Sequence, residues 1–269
     1  MTQLHERSSD DQFLALERLA YAALEQWDLD NPAIKLIKHR ENTVYQVDAD
    51  QGRFALRIHR YDYHPDSDIQ TELDWILSLS EAGLPVPRPR LSKDGNLFEI
   101  CQHGDMPEPR QVDIFSWAHG IPFGSVEDVL EGKIDRDRVL SCYKKAGALA
   151  ARMHNHAENY ELPVGGTRQA WDEDGLLGEE PLWGRGWENE LLSPENREKI
   201  LQVRETIRAK LTAFGKGNDR YGLIHCDFMP ENLFVDGEEI EIIDFDDAGY
   251  GWHMFDFATA LFFYVDTPV

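Results

Sequence analysis

The chain has 269 residues, of which 42% are apolar and 29% charged, a balance typical of a folded globular protein. Fifty acidic residues against 27 basic ones give a formal net charge of −23, which repels nucleic-acid phosphates and anionic lipid headgroups. Composition therefore argues against nucleic acid and membrane surfaces as partners. The odd number of cysteines, 3, without a CxxC spacing, and an opening that lacks a leader pattern favour a cytoplasmic protein.

The chain begins with a predicted helix and then changes to strands. In FLALERLAYAALEQW the apolar residues recur at three and four positions, which predicts a helix with Ser9, Asp10 or Asp11 as its cap. The period becomes two in AIKLIKH, TVYQVDA and GRFALRIHR, with turn residues in DADQG between the last two. These segments predict antiparallel strands.

A second helix is predicted in SDIQTELDWILSLSEAG, with Ser67 or Asp68 as its cap and Gly83 as its terminator. The proline-rich LPVPRPR is predicted to be an edge strand, and LFEICQ and QVDIFSWAHG to be further strands. Residues 1–117 therefore predict a sheet of about five strands with one inserted helix.

Residues 118–269 change to a helical pattern, with long predicted helices in VLSCYKKAGALAARMHNHA and SPENREKILQVRETIRAKLTAF. A β-rich lobe followed by a helical lobe predicts a cleft between them, where ligands often bind. His154 and His156 are two apart on a helix and point in different directions, so they are assigned structural or solvent roles. Residues 159–190 form a long loop whose tryptophans either line a pocket or only hold the loop in place.

Two short acidic stretches carry the candidate chemistry. In LIHCDFMPENLF an apolar strand runs into His225, Asp227 and Asn232, and a predicted hairpin then returns the chain to Asp244 in IIDFDDAG. The hairpin is expected to cluster Asp227, Asn232 and Asp244. An amide and a carboxylate oxygen suit Mg²⁺, which usually takes few protein ligands together with substrate phosphates, so Asp227 is left to face another group.

The spacing H-x-D-x-x-x-x-N followed by D-F-D resembles that of the aminoglycoside phosphotransferase and choline kinase family, over about residues 34–265. The resemblance implies an α+β, protein-kinase-like fold of two lobes: an N-terminal antiparallel sheet with one helix in 1–117, which binds nucleotide, and a mainly helical C-terminal lobe in 118–269 with the catalytic loop and acceptor site. Cys226 stands where protein kinases have arginine and Asp246 where they have glycine. Both departures are usual among the small-molecule kinases.

The resemblance implies a role for each residue of the acidic stretches. Asp227 resembles the catalytic base that accepts or orients the proton of the substrate hydroxyl, and His225 resembles the histidine that holds the catalytic loop. Asn232 and Asp244 resemble the metal ligands that bridge the nucleotide phosphates. Asp256 resembles an aspartate that packs against the catalytic loop from the following helix.

In the first lobe the resemblance implies a nucleotide site. Arg57 stands where the family has the basic residue that contacts the α- and β-phosphates, and Glu72 where its acidic partner stands. Asn42 lies in the nucleotide-covering loop KHRENTVY, and Phe115 and Trp117 lie in the adenine-contacting hinge DIFSWAHG. Arginine replaces the commoner lysine and the covering loop has no glycine-rich run, so an ordinary ion pair between Arg57 and Glu72 is the alternative.

The predicted activity is transfer of a phosphoryl group from ATP or GTP, with Mg²⁺, to a hydroxyl of a small metabolite such as an aminoglycoside, choline, homoserine or a similar amino alcohol. Glu158, Trp171, Asp172 and Asp246 are candidates for the acceptor site. The alternatives are a protein serine/threonine kinase of the same fold and a non-catalytic nucleotide-binding regulatory module. A monomer or homodimer is expected, and the end YVDTPV, where relatives usually continue, predicts a truncation or a differently built acceptor site.

Overall fold

A computed structural model describes residues 8–264, apart from the side chain of Phe263. The opening residues and the VDTPV end, on which the leader and truncation expectations depend, lie outside this range. The chain falls into two compact units. The first runs to Gly120 and includes Leu162–Thr167 and Glu241–Ile243, and the second contains Ile121–Glu161, Arg168–Ile240 and the chain from Asp244. The assignment of functions to 1–117 and 118–269 stays a prediction.

The first unit is an antiparallel sheet with a helix on each face. Its elements are α1 (Ser9–Leu24), β1 (Ala33–His39), β2 (Thr43–Ala49), β3 (Gly52–Ile58), α2 (Asp66–Glu81), β4 (Phe98–Cys101) and β5 (Arg110–Ser116). The strands lie in the order β1-β2-β3-β5-β4, which agrees with the predicted sheet of five strands and one inserted helix.

The two faces of this sheet differ because successive strand residues point to opposite sides. Leu56 and Ile114 belong to the core cluster that includes Leu19 and other buried residues of α1. The neighbouring residues of the same strands, Arg57 and Asp113, therefore face the other side, where α2 packs.

The predicted N-terminal caps of both helices are wrong, whereas the predicted terminator of α2 is confirmed. Ser8, not Ser9, Asp10 or Asp11, caps α1 by accepting a hydrogen bond from the Asp11 amide. Pro65 occupies the cap position of α2 and fixes an extended entry, so neither Ser67 nor Asp68 caps it. Gly83 follows α2 with φ +75°, as expected of a terminator.

The segment LPVPRPR is not a strand, because its prolines cannot donate ladder hydrogen bonds. Only its end pairs with β5: the Arg90 amide donates to the Ile114 carbonyl at 2.7 Å, and the Ser116 amide donates to the Arg88 carbonyl at 2.8 Å.

The second unit combines helices with short strands. Its elements are β6 (Ile121–Pro122), α3 (Val126–Leu130), α4 (Arg136–Ala157), β7 (Ala170–Trp171), α5 (Glu173–Leu177), α6 (Pro194–Phe214), β8 (Tyr221–Ile224), β9 (Leu233–Asp236), β11 (Gly249–Trp252) and α7 (His253–Leu261). Strand β10 (Glu239–Ile242) begins in this unit, and its last two residues are counted with the first. Strands β10, β9 and β6 form one small sheet, and β7, β11 and β8 form another. The predicted helices correspond to α4 and α6, whereas β7 and β11 were not predicted.

Across residues 8–264, none of the helices has both the length and the apolar composition that a membrane crossing needs.

Candidate active site

The catalytic-loop candidate starts where β8 ends, and its backbone is held from α7. Cys226 has φ +70°, a left-handed conformation that costs free energy for a residue with a side chain. Asp256, only 1% exposed, stabilises this turn: its Oδ1 accepts a hydrogen bond from the Cys226 amide at 2.7 Å, and its Oδ2 accepts one from the His225 amide at 3.3 Å. The loop is thus fixed by a buried carboxylate.

His225 lies inside the loop rather than on its surface. Its ring is fully buried and contacts the rings of Phe245 at 4.6 Å and Phe228 at 5.3 Å between centroids. Its Nδ1 accepts a hydrogen bond from the Asp227 amide at 3.2 Å, which requires the tautomer protonated on Nε2. The ring can therefore position Asp227, but its burial argues against contact with substrate.

Asp227 and Asn232 contact each other directly. The Asn232 side-chain amide donates to Oδ2 of Asp227 at 2.7 Å and to the Asp227 backbone carbonyl at 3.0 Å. Both amide hydrogens are thereby used, so Oδ1 is the Asn232 atom that could ligate a cation. Asn232 is buried and Asp227 is half-buried, so this pair combines a fixed amide with a carboxylate near the surface.

Asp244 lies two residues beyond β10, the partner strand of β9, and has φ +68°. Among the described residues, four non-glycine residues have positive φ, and Cys226 and Asp244 are two of them. Such conformations cluster at functional sites, where surrounding contacts maintain them. Both acidic stretches therefore carry the same backbone signature.

The donor set fits a hard cation. Within residues 8–264, no cluster of three or more His, Cys, Asp and Glu side chains could hold a metal ion. The predicted ligands are of another kind, one amide oxygen of Asn232 and one carboxylate of Asp244. Mg²⁺ is often bound by so few protein groups because water and phosphate oxygens complete its shell.

Asp256 has a buried partner, His154, that was not predicted from the sequence. Nε2 of His154 lies 2.7 Å from Oδ2 of Asp256, and the His154 ring stacks on that of His253 at 4.4 Å. Burial, followed by the neighbouring His154, lowers the pKa of His253. His154 therefore has a structural role, as its position on α4 predicted, because it contacts the carboxylate that holds the candidate catalytic loop.

In the first unit Arg57 joins two buried carboxylates. Its Nη1 donates to Oε1 of Glu72 at 2.8 Å, and its Nη2 donates to Oδ2 of Asp113 at 2.7 Å. Nε also donates to Asp113, at 3.1 Å to Oδ1, so this carboxylate is bound in a fork. Nε2 of His59 lies 2.8 Å from Oδ2 of Asp113.

Asp113 was not predicted as a site residue, although it lies in the quoted hinge segment. Burial raises its pKa, but the charges of Arg57 and His59 and their hydrogen bonds outweigh this and leave the pKa below its usual range. The signal in the sequence was a charged residue within an apolar strand. Its pairing with Arg57 depends on the register of β3 against β5, which the sequence does not specify.

A profile of the phosphotransferase enzyme family, APH, matches residues 33–269. The chain belongs to this family. The predicted resemblance is confirmed, and so is the predicted protein-kinase-like α+β fold.

This chain is similar to several kinases, both in sequence and in structure. A microcompartment-associated aminopropanol kinase has a TM-score of 0.76 and 31% identity, with coverage of 93% of this chain and 76% of that one. The amicoumacin kinase hAmiN, in complex with AMP-PNP, Ca²⁺ and Ami, has a TM-score of 0.71 at 24% identity, covering 99% and 73%. An amicoumacin kinase of Bacillus subtilis (strain 168) is 25% identical over 255 residues, 94% of this chain.

The chain spans 69% of the length of the Bacillus subtilis protein and 55–66% of the length of the other curated relatives that it matches.

Three further candidates for nucleotide contact, Asn42, Phe115 and Trp117, lie in the first unit. Oδ1 of Asn42 accepts a hydrogen bond from the Arg60 amide at 3.1 Å, which joins the covering loop to the end of β3. The Phe115 ring lies under the Arg57 guanidinium at 5.1 Å, and the Trp117 ring lies under Arg53 at 5.6 Å. Their roles toward nucleotide stay predictions.

The acceptor-site candidates have contacts of their own within the second unit. Trp171 is 1% exposed and its Nε1 donates to the Asp247 carbonyl at 2.7 Å. Asp172 caps α5 and lies 2.8 Å from Nζ of Lys216. These contacts account for both residues structurally. Glu158 is exposed at the end of α4 and Asp246 is buried, and an acceptor role for any of the four stays a prediction.

Proposed function

We propose that this chain is a kinase that transfers the γ-phosphoryl group of ATP or GTP to a hydroxyl group of a small metabolite. The observation that carries the proposal is the Asp227–Asn232 pair, held on a left-handed turn by the buried Asp256. A carboxylate fixed by a buried amide is suited to orient one hydroxyl, and phosphoryl transfer depends mainly on positioning and electrostatics.

In the proposed reaction Asp227 accepts the hydrogen bond of the acceptor hydroxyl. The acceptor oxygen bonds to the γ-phosphorus, the bond from that phosphorus to the β–γ bridging oxygen breaks, and the nucleoside diphosphate leaves. The hydroxyl proton passes to the Asp227 carboxylate. His225 and Asn232 keep the carboxylate in place through its backbone amide and its Oδ2.

Asn232 Oδ1 and the Asp244 carboxylate are the groups that would hold Mg²⁺, which neutralises charge on the phosphates when bound. Arg57 would donate to phosphate oxygens from a guanidinium whose plane is fixed by Glu72 and Asp113. The binding of AMP-PNP and Ca²⁺ by the related amicoumacin kinase supports the use of a nucleotide and a divalent cation here.

The acceptor class follows from the relatives and from charge. Aminopropanol kinase and amicoumacin kinase are named for small-molecule substrates, which supports a small metabolite rather than a protein. A net charge of −23 favours a cationic acceptor such as an amino alcohol or aminoglycoside. We expect a monomer or homodimer.

The test is release of ADP from ATP with Mg²⁺ across a panel of acceptors: aminopropanol, choline, homoserine, aminoglycosides and serine-containing peptides. We expect release that depends on a small amino alcohol or aminoglycoside. Release that depends only on the peptides would instead establish a protein kinase. Nucleotide binding with no acceptor-dependent release would support a regulatory module.

A further inference from the structure

The turn that follows Asp244 is held by side chains from a distant segment, residues 168–171. Nη2 of Arg168 donates to the carbonyl of Phe245 at 3.0 Å and also to that of Asp246, and its Nε donates to the carbonyl of Ala248. One guanidinium therefore binds three carbonyl oxygens of the turn.

Two further side chains of the same segment bind the remaining carbonyl of the turn. Nε2 of Gln169 donates to the Asp247 carbonyl at 3.2 Å, and Nε1 of Trp171 donates to it at 2.7 Å. Each of the four successive carbonyls from Phe245 to Ala248 therefore accepts a hydrogen bond from residues 168–171. We name this segment the carbonyl clasp.

The carbonyl clasp is itself fixed by the sheet beside it. Ala170 and Trp171 form β7, which pairs with β11 in parallel, and the Tyr250 amide donates to the Gln169 carbonyl at 2.9 Å. Gly249 makes the close approach possible, since a Cβ there would lie 2.5 Å from the Gln169 carbonyl oxygen. A rigid strand thus presents the donors to the turn.

The carbonyl clasp also contacts the catalytic loop. Trp171 is buried in one cluster with Ile224 and Cys226, the residues on either side of His225. The same indole that packs against the catalytic loop donates to the turn after Asp244. The two acidic stretches are therefore linked through one side chain.

The turn requires such support for two physical reasons. Asp244 has a left-handed backbone at φ +68°, which persists only where surrounding contacts maintain it. Asp244, Asp246 and Asp247 also place three carboxylates close together in sequence, and the Arg168 charge offsets part of their repulsion.

We propose that Arg168 and Trp171 are positioning residues that hold the turn so that Asp244 can present its carboxylate to the nucleotide-bound metal ion. The metal part of this inference rests on the proposed function. Neither residue needs to touch nucleotide or acceptor. Groups that orient metal ligands in this way typically change metal affinity by about 10- to 100-fold when they are replaced.

The test compares Arg168→Lys and Trp171→Phe with the wild type. Lysine keeps the charge but lacks the planar fork, and phenylalanine keeps an aromatic ring but lacks the indole donor. Arg197→Lys, on the exposed surface of α6, is the matched control. Two readouts are measured: calorimetric binding of AMP-PNP with and without Mg²⁺, and hydrogen exchange of the Ala248 amide, which donates to the Phe245 carbonyl at 2.9 Å.

We expect Arg168→Lys to weaken Mg²⁺-dependent AMP-PNP binding by about tenfold or more, with metal-free binding unchanged, and Trp171→Phe to have a smaller effect in the same direction. Both variants should speed exchange at Ala248, and Arg197→Lys should change neither readout. Wild-type metal dependence and exchange in both variants would overturn the inference. If the wild type binds no nucleotide, the proposed function fails, whereas the exchange comparison, which needs no nucleotide, still decides whether the clasp holds the turn.

Discussion

Replacing Asp256 by asparagine should destabilise the second unit strongly. The carboxylate accepts three hydrogen bonds: from the Cys226 amide at 2.7 Å, the His225 amide at 3.3 Å and Nε2 of His154 at 2.7 Å. Asparagine keeps one oxygen and replaces the other with an amino group. In either orientation a buried donor then faces another donor.

The magnitude follows from the loss of these contacts. A buried hydrogen bond to a charged group contributes about 1.5–3 kcal/mol, and a donor left unsatisfied costs about 1–3 kcal/mol. We therefore expect Asp256→Asn to lower the free energy of unfolding by about 2–5 kcal/mol, a large part of the usual stability of about 5–15 kcal/mol.

The assay is urea unfolding of both proteins, monitored by tryptophan fluorescence, with the slope against urea compared as well as the midpoint. Asp236→Asn, at an exposed position in the β9–β10 hairpin, is the matched control and should stay within about 0.5 kcal/mol of the wild type. A loss of less than about 1 kcal/mol for Asp256→Asn, with an unchanged slope, would show that the three hydrogen bonds of Asp256 do not stabilise the fold as expected.

Arg57→Lys should lower the free energy of unfolding by about 1–3 kcal/mol because one ammonium cannot replace the bonds to both buried carboxylates. Asp113→Asn should recover part of that loss in a double-mutant cycle, and strict additivity would contradict the coupling. Burial lowers the pKa of His253 below 6.5 in the folded protein, so the unfolded chain binds a proton there more readily. The neutral, buried ring therefore contributes to the free energy of unfolding above pH 6.5, and this contribution is lost as the pH falls towards the folded-state pKa. Unfolding measured below pH 6.5 should be less pH-dependent in His253→Phe, and an equal slope would contradict this. Gly249→Ala should lower the free energy of unfolding by about 1–3 kcal/mol, because the added methyl group would overpack against the Gln169 carbonyl. Gly186→Ala is the control, since a Cβ there meets nothing within 4 Å, and it should lower the stability less in the same thermal unfolding experiment. Equal losses in the two variants would argue against a tight approach at Gly249.

Periodicity predicted the elements that bury one face. The stripe of Ile69, Leu73 and Ile76 is buried in α2, and the alternating strands of the first unit pair as expected. The errors fall at ends and at proline. Pro65 displaced the expected caps of α2, and the prolines of LPVPRPR removed the donors that a strand needs.

The site was predictable only where its residues are close in sequence. Asp227 and Asn232 share one loop, and the structure joins them by a hydrogen bond of 2.7 Å. Asp113 depends on strand register, and Arg168 reaches a turn that lies 77–80 residues later in the chain. No local pattern specifies contacts of that range, because the intervening fold creates them.

The assignment of Asp227 as the group that orients the acceptor hydroxyl is tested most directly by the turnover of Asp227→Asn. The experiment measures acceptor-dependent ADP release and calorimetric ATP binding for the wild type, Asp227→Asn and the exposed control Asp236→Asn. We expect a loss of at least about 100-fold in turnover for Asp227→Asn, with ATP binding retained, and wild-type turnover for the control. Turnover retained in Asp227→Asn would contradict the assignment of Asp227 as the group that orients the acceptor hydroxyl.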